Sequence, residues 1–374
     1  MNRRNWIKMA TVAGAAAYVS RPLLAQGTPS KPDYPQSSHG FINLGWNENQ
    51  FGPSPKAKQA MMDAQPYAAE YPVEGQKRLQ EVIARRERVA PEQVILGAGS
   101  ADLLCGLANS LWQEKGDNIV SSEPTFAILT GMTRKFGLEH IQVPWTKDYG
   151  VDLAGLEAAI TPQTKVVYIC NPENPTAVAL DPARLRDFCK RVSKRCMVLI
   201  DEAYLDFAGN ADELGMTSCV RDGLDVVVLR TFSKAYGLAG MRVGYAVGPA
   251  ERLKTISDFY MTGIGLGCSY LSIEAALAAY QDRKYIDFIR EQNTSARAAL
   301  CAYLDQKGLR YASSSASFVF IPVDRDAKQL SDAILGAFNV QISPRFYYDQ
   351  HFIRISMGRP DQMEQLIKAL DYVL

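Results

Sequence analysis

DVVVLRTFSKAYGLAGMRVGY, residues 225–245, joins a continuous apolar run to a turn carrying Lys234, Arg242 and three glycines. Val226–Leu229 is too short for a free-standing helix, and its apolar residues do not alternate with polar ones. That is the pattern of a strand covered on both faces. The lysine follows at the carboxyl end of that strand, in a segment otherwise poor in charge.

The same layout recurs along the chain. QVIL (93–96), NIV (118–120), KVVYIC (165–170) and MVLI (197–200) are near-continuous apolar runs rich in Val and Ile. Between them lie segments such as PARLRDFCKRVSKR (182–195), with apolar residues at helical spacing and basic residues opposite. Strand–helix alternation predicts an α/β fold: a large domain with a mostly parallel sheet sandwiched by helices. After about residue 270 one long helical segment (269–308) leads into weaker strands, SFVFIPV and FIRISM, which predict a smaller α+β domain. The expected division is 1–27 signal peptide, 28–50 N-terminal arm, 51–268 large domain and 269–374 small domain.

In open α/β sheets ligands bind beyond the carboxyl ends of the strands. After QVIL comes GAGSADLL, where Ser100 and Ala101 open a helix whose free amides suit a phosphate. GAGS does not extend to the six-position dinucleotide pattern. After KVVYIC comes NPENPT, presenting Asn174; after MVLI comes DEAY, with Asp201 and Tyr204; after DVVVL come Thr231, Ser233 and Lys234. A phosphate nest, an amide, a carboxylate and an amine thus arrive at one sheet edge, a set that fits pyridoxal 5′-phosphate. Lys234 would form the Schiff base, Asp201 would pair with the pyridine nitrogen, and Asn174 and Tyr204 would bond the phenolic oxygen. Ser100, Ala101, Thr231, Ser233 and Arg242 would hold the phosphate, and Phe126 in EPTFAIL would stack on the ring.

Those motifs carry a resemblance. SKAYGLAGMRVGY, DEAYLDF and NPENPT, within a span from INLGWNENQFGPSP (42–55) to FIRISMGRPDQMEQL (352–366), resemble the fold-type-I pyridoxal-phosphate aminotransferases, class I/II, and most closely the histidinol-phosphate aminotransferase family. The resemblance implies the same cofactor roles for the residues just named. It also implies Arg354 and Asn47 on the substrate side, and Tyr71 reaching the neighbouring subunit's phosphate in a homodimer with shared active sites. The expected reaction moves an amino group from an amino acid, or a histidinol-phosphate-like amine, to a 2-oxo acid. Decarboxylation, racemisation or β-elimination are the alternatives on the same scaffold, because sequence does not fix which Cα bond stands perpendicular to the ring. A non-catalytic binding protein is a further reading, opposed by the intact cofactor set.

This chain departs from the family pattern at several points. Ala177 stands where the family has glycine, which predicts a slightly shifted loop; Glu70 replaces an arginine; Trp46 and Gln50 lie near the entrance. Ser343 stands where a second phosphate-binding arginine is found, with Arg345 two residues on and on the same face if the segment is extended. Ser343 points away from histidinol phosphate as the substrate.

MNRRNWIKMATVAGAAAYVSRPLLAQG (1–27) has paired arginines, a short apolar stretch and a candidate cleavage after Ala25. It resembles a twin-arginine export signal, so the twin-arginine machinery and a periplasmic location are expected, with a membrane anchor facing the periplasm as the alternative. The net charge of +1 and the lack of a basic block give no reason to expect nucleic acid. The three histidines lie far apart and no Cys-x-x-Cys pair occurs, so no metal is expected. Seven scattered cysteines read mainly as buried thiols.

Overall fold

The computed structural model describes residues 38–111, 114–258 and 267–374, which belong to one compact unit. The expected signal peptide and residues 28–37 of the expected arm lie outside the described residues. Among the described residues no helix is long and apolar enough to cross a membrane.

In chain order the strands are β1 (Ile42–Asn43), β2 (Val94–Gly97), β3 (Asn118–Glu123), β4 (Glu139–Pro144), β5 (Thr164–Cys170) and β6 (Met197–Asp201). They continue with β7 (Val226–Thr231), β8 (Gly244–Val247), β9 (Phe318–Val323), β10 (Val340–Gln341), β11 (Ser343–Tyr347) and β12 (Gln350–Ser356). The large sheet has the order β2-β8-β7-β6-β5-β3-β4. Within it β8 alone runs antiparallel to its neighbours.

The continuous apolar runs have a direct cause in packing. Val166, Tyr168, Met197, Leu199, Val227 and Leu229 share a core with Leu103, Leu104 and Leu107 of the helix Ser100–Leu111. The alternate residues, Val167, Ile169, Val198, Ile200, Val226 and Val228, are buried as well. The helix Pro182–Val192 packs on β6 and buries Leu185, Phe188, Cys189 and Val192. Asp181 starts that helix, its carboxylate accepting from the Arg184 amide at 2.9 Å ahead of Pro182.

Arg230, just before the end of β7, is buried between two carboxylates, Glu87 at 3.0 Å and Glu202 at 2.9 Å. Tyr245 Oη also donates to Glu87, at 3.2 Å.

The C-terminal part carries the antiparallel sheet β11-β12-β9, whose core includes Val319, Ile321, Ile353 and Ile355 with Leu366 and Leu370. β1 pairs in parallel with β10, so Ile42 and Asn43 of the expected arm lie against this part. The segment predicted as one long helix is two, Tyr270–Gln281 and Arg283–Gln306, because Asp282 leaves helical geometry (φ −91°, ψ 69°). The first of the two packs on the helices Pro55–Ala64 and Val73–Glu87.

Candidate active site

In the large sheet every strand except β8 runs in one direction, so their carboxyl ends share one edge. Two adjoining cavities, which share five lining residues, lie there. The inner one, about 170 Å³, is lined by Ser100, Ala101, Phe126, Asn174, Asp201, Tyr204, Thr231, Ser233, Lys234 and Arg242, among others. These are the residues expected from sequence to hold a cofactor, Tyr71 excepted. The outer cavity, about 500 Å³, is lined by Asn47, Thr125, Ile128, Arg345, Tyr347 and Arg354, together with Trp46, Phe126, Asn174, Tyr204 and Lys234, which line both. Lys234 therefore stands at the junction.

Lys234 Nζ donates to the Trp46 carbonyl at 3.3 Å and lies 5.8 Å from the centre of the Tyr204 ring. Burial, with the Arg354 and Arg242 charges, pushes its pKa down to about 8 against the opposing pull of Glu48 and Asp201. Asp201 closes β6 and is buried; burial pushes its carboxyl up to about 6, although the Ala203 amide (3.1 Å) and the Tyr168 hydroxyl (3.4 Å) bond to it. The Tyr204 hydroxyl accepts from Asn47 Nδ2 at 3.0 Å and from Asn174 Nδ2 at 3.3 Å. Burial pushes the Tyr204 phenol up to about 12.

At the far end of the inner cavity, Arg242 Nη1 donates to Ser233 Oγ at 3.2 Å, and the Ser233 amide donates to Thr231 Oγ1 at 3.1 Å. Gly99 and Gly244 leave this cradle open: a Cβ on Gly99 would collide with the Arg242 guanidinium, and one on Gly244 would lie 2.5 Å from the Ser100 amide nitrogen. Arg242 takes a left-handed φ of 53°, a conformation that non-glycine residues hold where their surroundings over-determine it. Amides at a helix start, two hydroxyls and a guanidinium match a phosphate. The amine, carboxylate and amide at the other end match an aldehyde-bearing pyridine ring.

Arg354 is buried on β12, donating to Asn174 Oδ1 and to the Gly45 carbonyl, both at 2.7 Å. Burial lowers its pKa to about 10. Asn47 is buried with φ 57°, its amide donating to Ser356 Oγ at 2.9 Å. Segment 343–347 is extended, and Arg345 reaches the outer cavity. Ala177 does not shift its loop by leaving the glycine conformation; it adopts a left-handed φ of 68° itself, anchored by its amide on the Glu173 carbonyl at 2.8 Å. Tyr71 is 74% exposed and lines neither cavity.

Sequence reasoning did not single out Thr125, Ile128 or the Trp46 carbonyl. Thr125 had a signal, standing next to Phe126 just beyond a strand end. A backbone carbonyl folded in from an arm has none.

Residues 39–370 match the family model of class I and II aminotransferases. The chain is 36% identical over 335 residues to a histidinol-phosphate aminotransferase of Moorella thermoacetica, covering 89% of this chain and 85% of the relative. Histidinol-phosphate aminotransferase 2 of Pasteurella multocida is 33% identical, with 89% and 90% covered. The crystal structure of histidinol-phosphate aminotransferase from Sinorhizobium meliloti, in complex with pyridoxal 5′-phosphate, superposes with a TM-score of 0.82 at 27% identity, covering 89% of this chain and 90% of that one. The chain belongs to the class I and II aminotransferases, within the histidinol-phosphate aminotransferase family, and is a fold-type-I enzyme that uses pyridoxal phosphate to move amino groups between amino acids and 2-oxo acids.

Proposed function

We propose that Lys234 is the amine that binds the cofactor's aldehyde and that the outer cavity receives the amino donor. The observation that carries this reading is the place of Lys234 at the junction of the two cavities, with an amine half-neutral near pH 8. The bound cofactor supplies an electron sink for the bonds at the substrate's Cα. Asp201 would pair with the pyridine nitrogen, Asn174 and Tyr204 would bond the phenolic oxygen, and Phe126 would stack on the ring. Ser100, Ala101, Thr231, Ser233 and Arg242 grip the phosphate. Arg354 holds the donor's carboxylate, with Asn47 beside it. With the cofactor bound, Lys234 Nζ would act as base toward the donor's Cα proton and then as acid toward the cofactor's C4′ carbon. Retention of the carboxylate by Arg354 favours transamination over decarboxylation.

The substrates are an anionic amino donor and a 2-oxo acid. The Moorella thermoacetica and Pasteurella multocida relatives act on histidinol phosphate by name, whereas Ser343, which leaves Arg345 as the arginine on β11, favours an amino acid here. The homodimer rests on exposed Tyr71 in AEYPVEG, and export through the twin-arginine machinery to the periplasm rests on Arg3, Arg4 and the apolar stretch behind them.

A panel of amino donors, including histidinol phosphate and aromatic amino acids, against 2-oxoglutarate and pyruvate tests the reading. Lys234→Ala should keep cofactor binding and lose turnover; comparable turnover without Lys234 refutes the assignment.

A further inference from the structure

Glu173 lies between the two Asn-Pro steps of NPENPT and is 1% exposed. Its Oε1 accepts from Thr125 Oγ1 at 2.7 Å and from the Asn174 amide at 2.9 Å. Thr125 precedes Phe126 in the segment after β3. Asn174 belongs to the segment after β5, and its carboxamide bonds to Tyr204 and Arg354. One carboxyl oxygen thus ties together the two segments that flank the site.

The other oxygen, Oε2, has no hydrogen-bond partner among the described residues. The charged groups acting most strongly on Glu173 are Asp201, at the end of β6, and Glu123, at the end of β3, both carboxylates. An ionised Glu173 would place a buried negative charge beside them. A neutral acid keeps both bonds, because its carbonyl oxygen accepts them, and carries no buried charge; its hydroxyl on Oε2 then has no acceptor among the described residues. Burial pushes its carboxyl up to about 8, in the same sense.

We propose that Glu173 is a positioning residue that works as a neutral acid, its Oε1 holding Thr125 and Asn174 in fixed relation and so setting Phe126 and the Asn174 carboxamide against the cofactor ring. It touches neither substrate nor cofactor. The inference rests on the cofactor roles assigned above to Lys234, Asn174 and Phe126.

The test compares Glu173→Gln with Glu173→Leu in cofactor-loaded enzyme. The first substitution keeps the acceptor and removes the ionisation; the second removes the acceptor. Three quantities are read: the pH midpoint of the bound cofactor's visible band, the single-turnover rate with an amino donor, and the thermal midpoint. Glu173→Gln should keep the band midpoint and stay within about twofold of the wild-type rate. Glu173→Leu should raise the midpoint by roughly one unit, the equivalent of one misplaced hydrogen bond, and slow turnover about tenfold. A Glu173→Leu enzyme that loses only thermal stability overturns the proposal. So does a Glu173→Gln enzyme as impaired as Glu173→Leu. In either case the visible band persists, whereas a wild-type enzyme with no Lys234-dependent band would overturn the cofactor assignment itself, and this inference with it.

Discussion

Arg345 and Arg354 reach one cavity from the two strands of a single hairpin: Arg345 pairs with Phe352 in register, and Arg354 pairs with Ser343. The positive charge of Arg345 contributes to lowering the pKa of Arg354. The two guanidiniums should therefore separate under mutation. Arg354→Ala should lower kcat/KM at least about tenfold for every carboxylate-bearing donor. Arg345→Ala should do so only for donors with a second anion. Steady-state kinetics with glutamate and with an apolar amino acid distinguish the two, and equal losses on both donors in Arg345→Ala would count against the division.

Lys234 should govern how the cofactor-free protein takes up pyridoxal phosphate. Only the neutral amine attacks an aldehyde, so with its pKa near 8 the uptake rate should rise about tenfold per pH unit below that point and level off above it. Stopped-flow absorbance from pH 6 to 10 measures this. A plateau reached only above pH 10 would show an ordinary lysine.

Asp201 gives a stability prediction with a definite sign. Its folded-state pKa, about 6, lies above the ordinary 3.8, so folding favours the neutral acid. In the cofactor-free chain the stability from this group is fully present below pH 3.8 and is lost as pH rises to about 6. The two-unit shift corresponds to about 3 kcal/mol. Asp201→Asn should therefore stabilise the cofactor-free chain at pH 7.5, bring little gain at pH 4, and lower turnover of the loaded enzyme. Denaturant titrations at the two pH values check it, and equal effects at both would contradict the electrostatic origin.

Arg230 presents a different balance, since a buried charge stripped of its partner is costly. Glu87→Ala should destabilise the chain by about 3–5 kcal/mol, read as a lower urea midpoint. A loss below about 1 kcal/mol would mean that Glu202 alone satisfies Arg230.

Tyr71 can be tested in mixed dimers. If it completes the partner's site, a dimer of one Lys234→Ala chain and one Tyr71→Ala chain contains one intact site. Mixing the two weakly active proteins under subunit exchange should then restore activity to a quarter or so of wild type by random pairing. No gain on mixing, with exchange verified, would remove the shared-site arrangement.

Much of this molecule was legible because its strands are buried on both faces. Val226–Leu229 and Val166–Cys170 need apolar residues throughout, and the groups that follow them mark the working edge. β4 escaped notice because EHIQVP is an edge strand with several half-exposed or exposed positions. β8 escaped because four residues, GYAV, end a glycine-rich turn and carry no period. The break at Asp282 was equally silent, since aspartate is tolerated inside helices and only tertiary contact, here with Lys56 at 3.3 Å, marks the bend. At the site, strand-end position exposed Lys234, Asp201 and Asn174. Thr125 and the Trp46 carbonyl join them through folding alone, and Glu173 stood in plain view with its side-chain partner, Thr125, far off in sequence.

The turn of the β11–β12 hairpin consists of two residues, Tyr348 and Asp349, with φ of 50° and 58°. Such a turn acts as a ruler for the strand before it. Adding or deleting one residue there would rotate Ser343, Arg345 and Tyr347 to the opposite face together and carry Arg345 out of the cavity. Lineages that keep this turn length can change their choice of amine only one side chain at a time, at alternate positions. The loop bearing Lys234 sits on another sheet and is untouched by such changes. The hairpin's part in choosing the amine and the lysine that does the chemistry are thus carried on separate sheets.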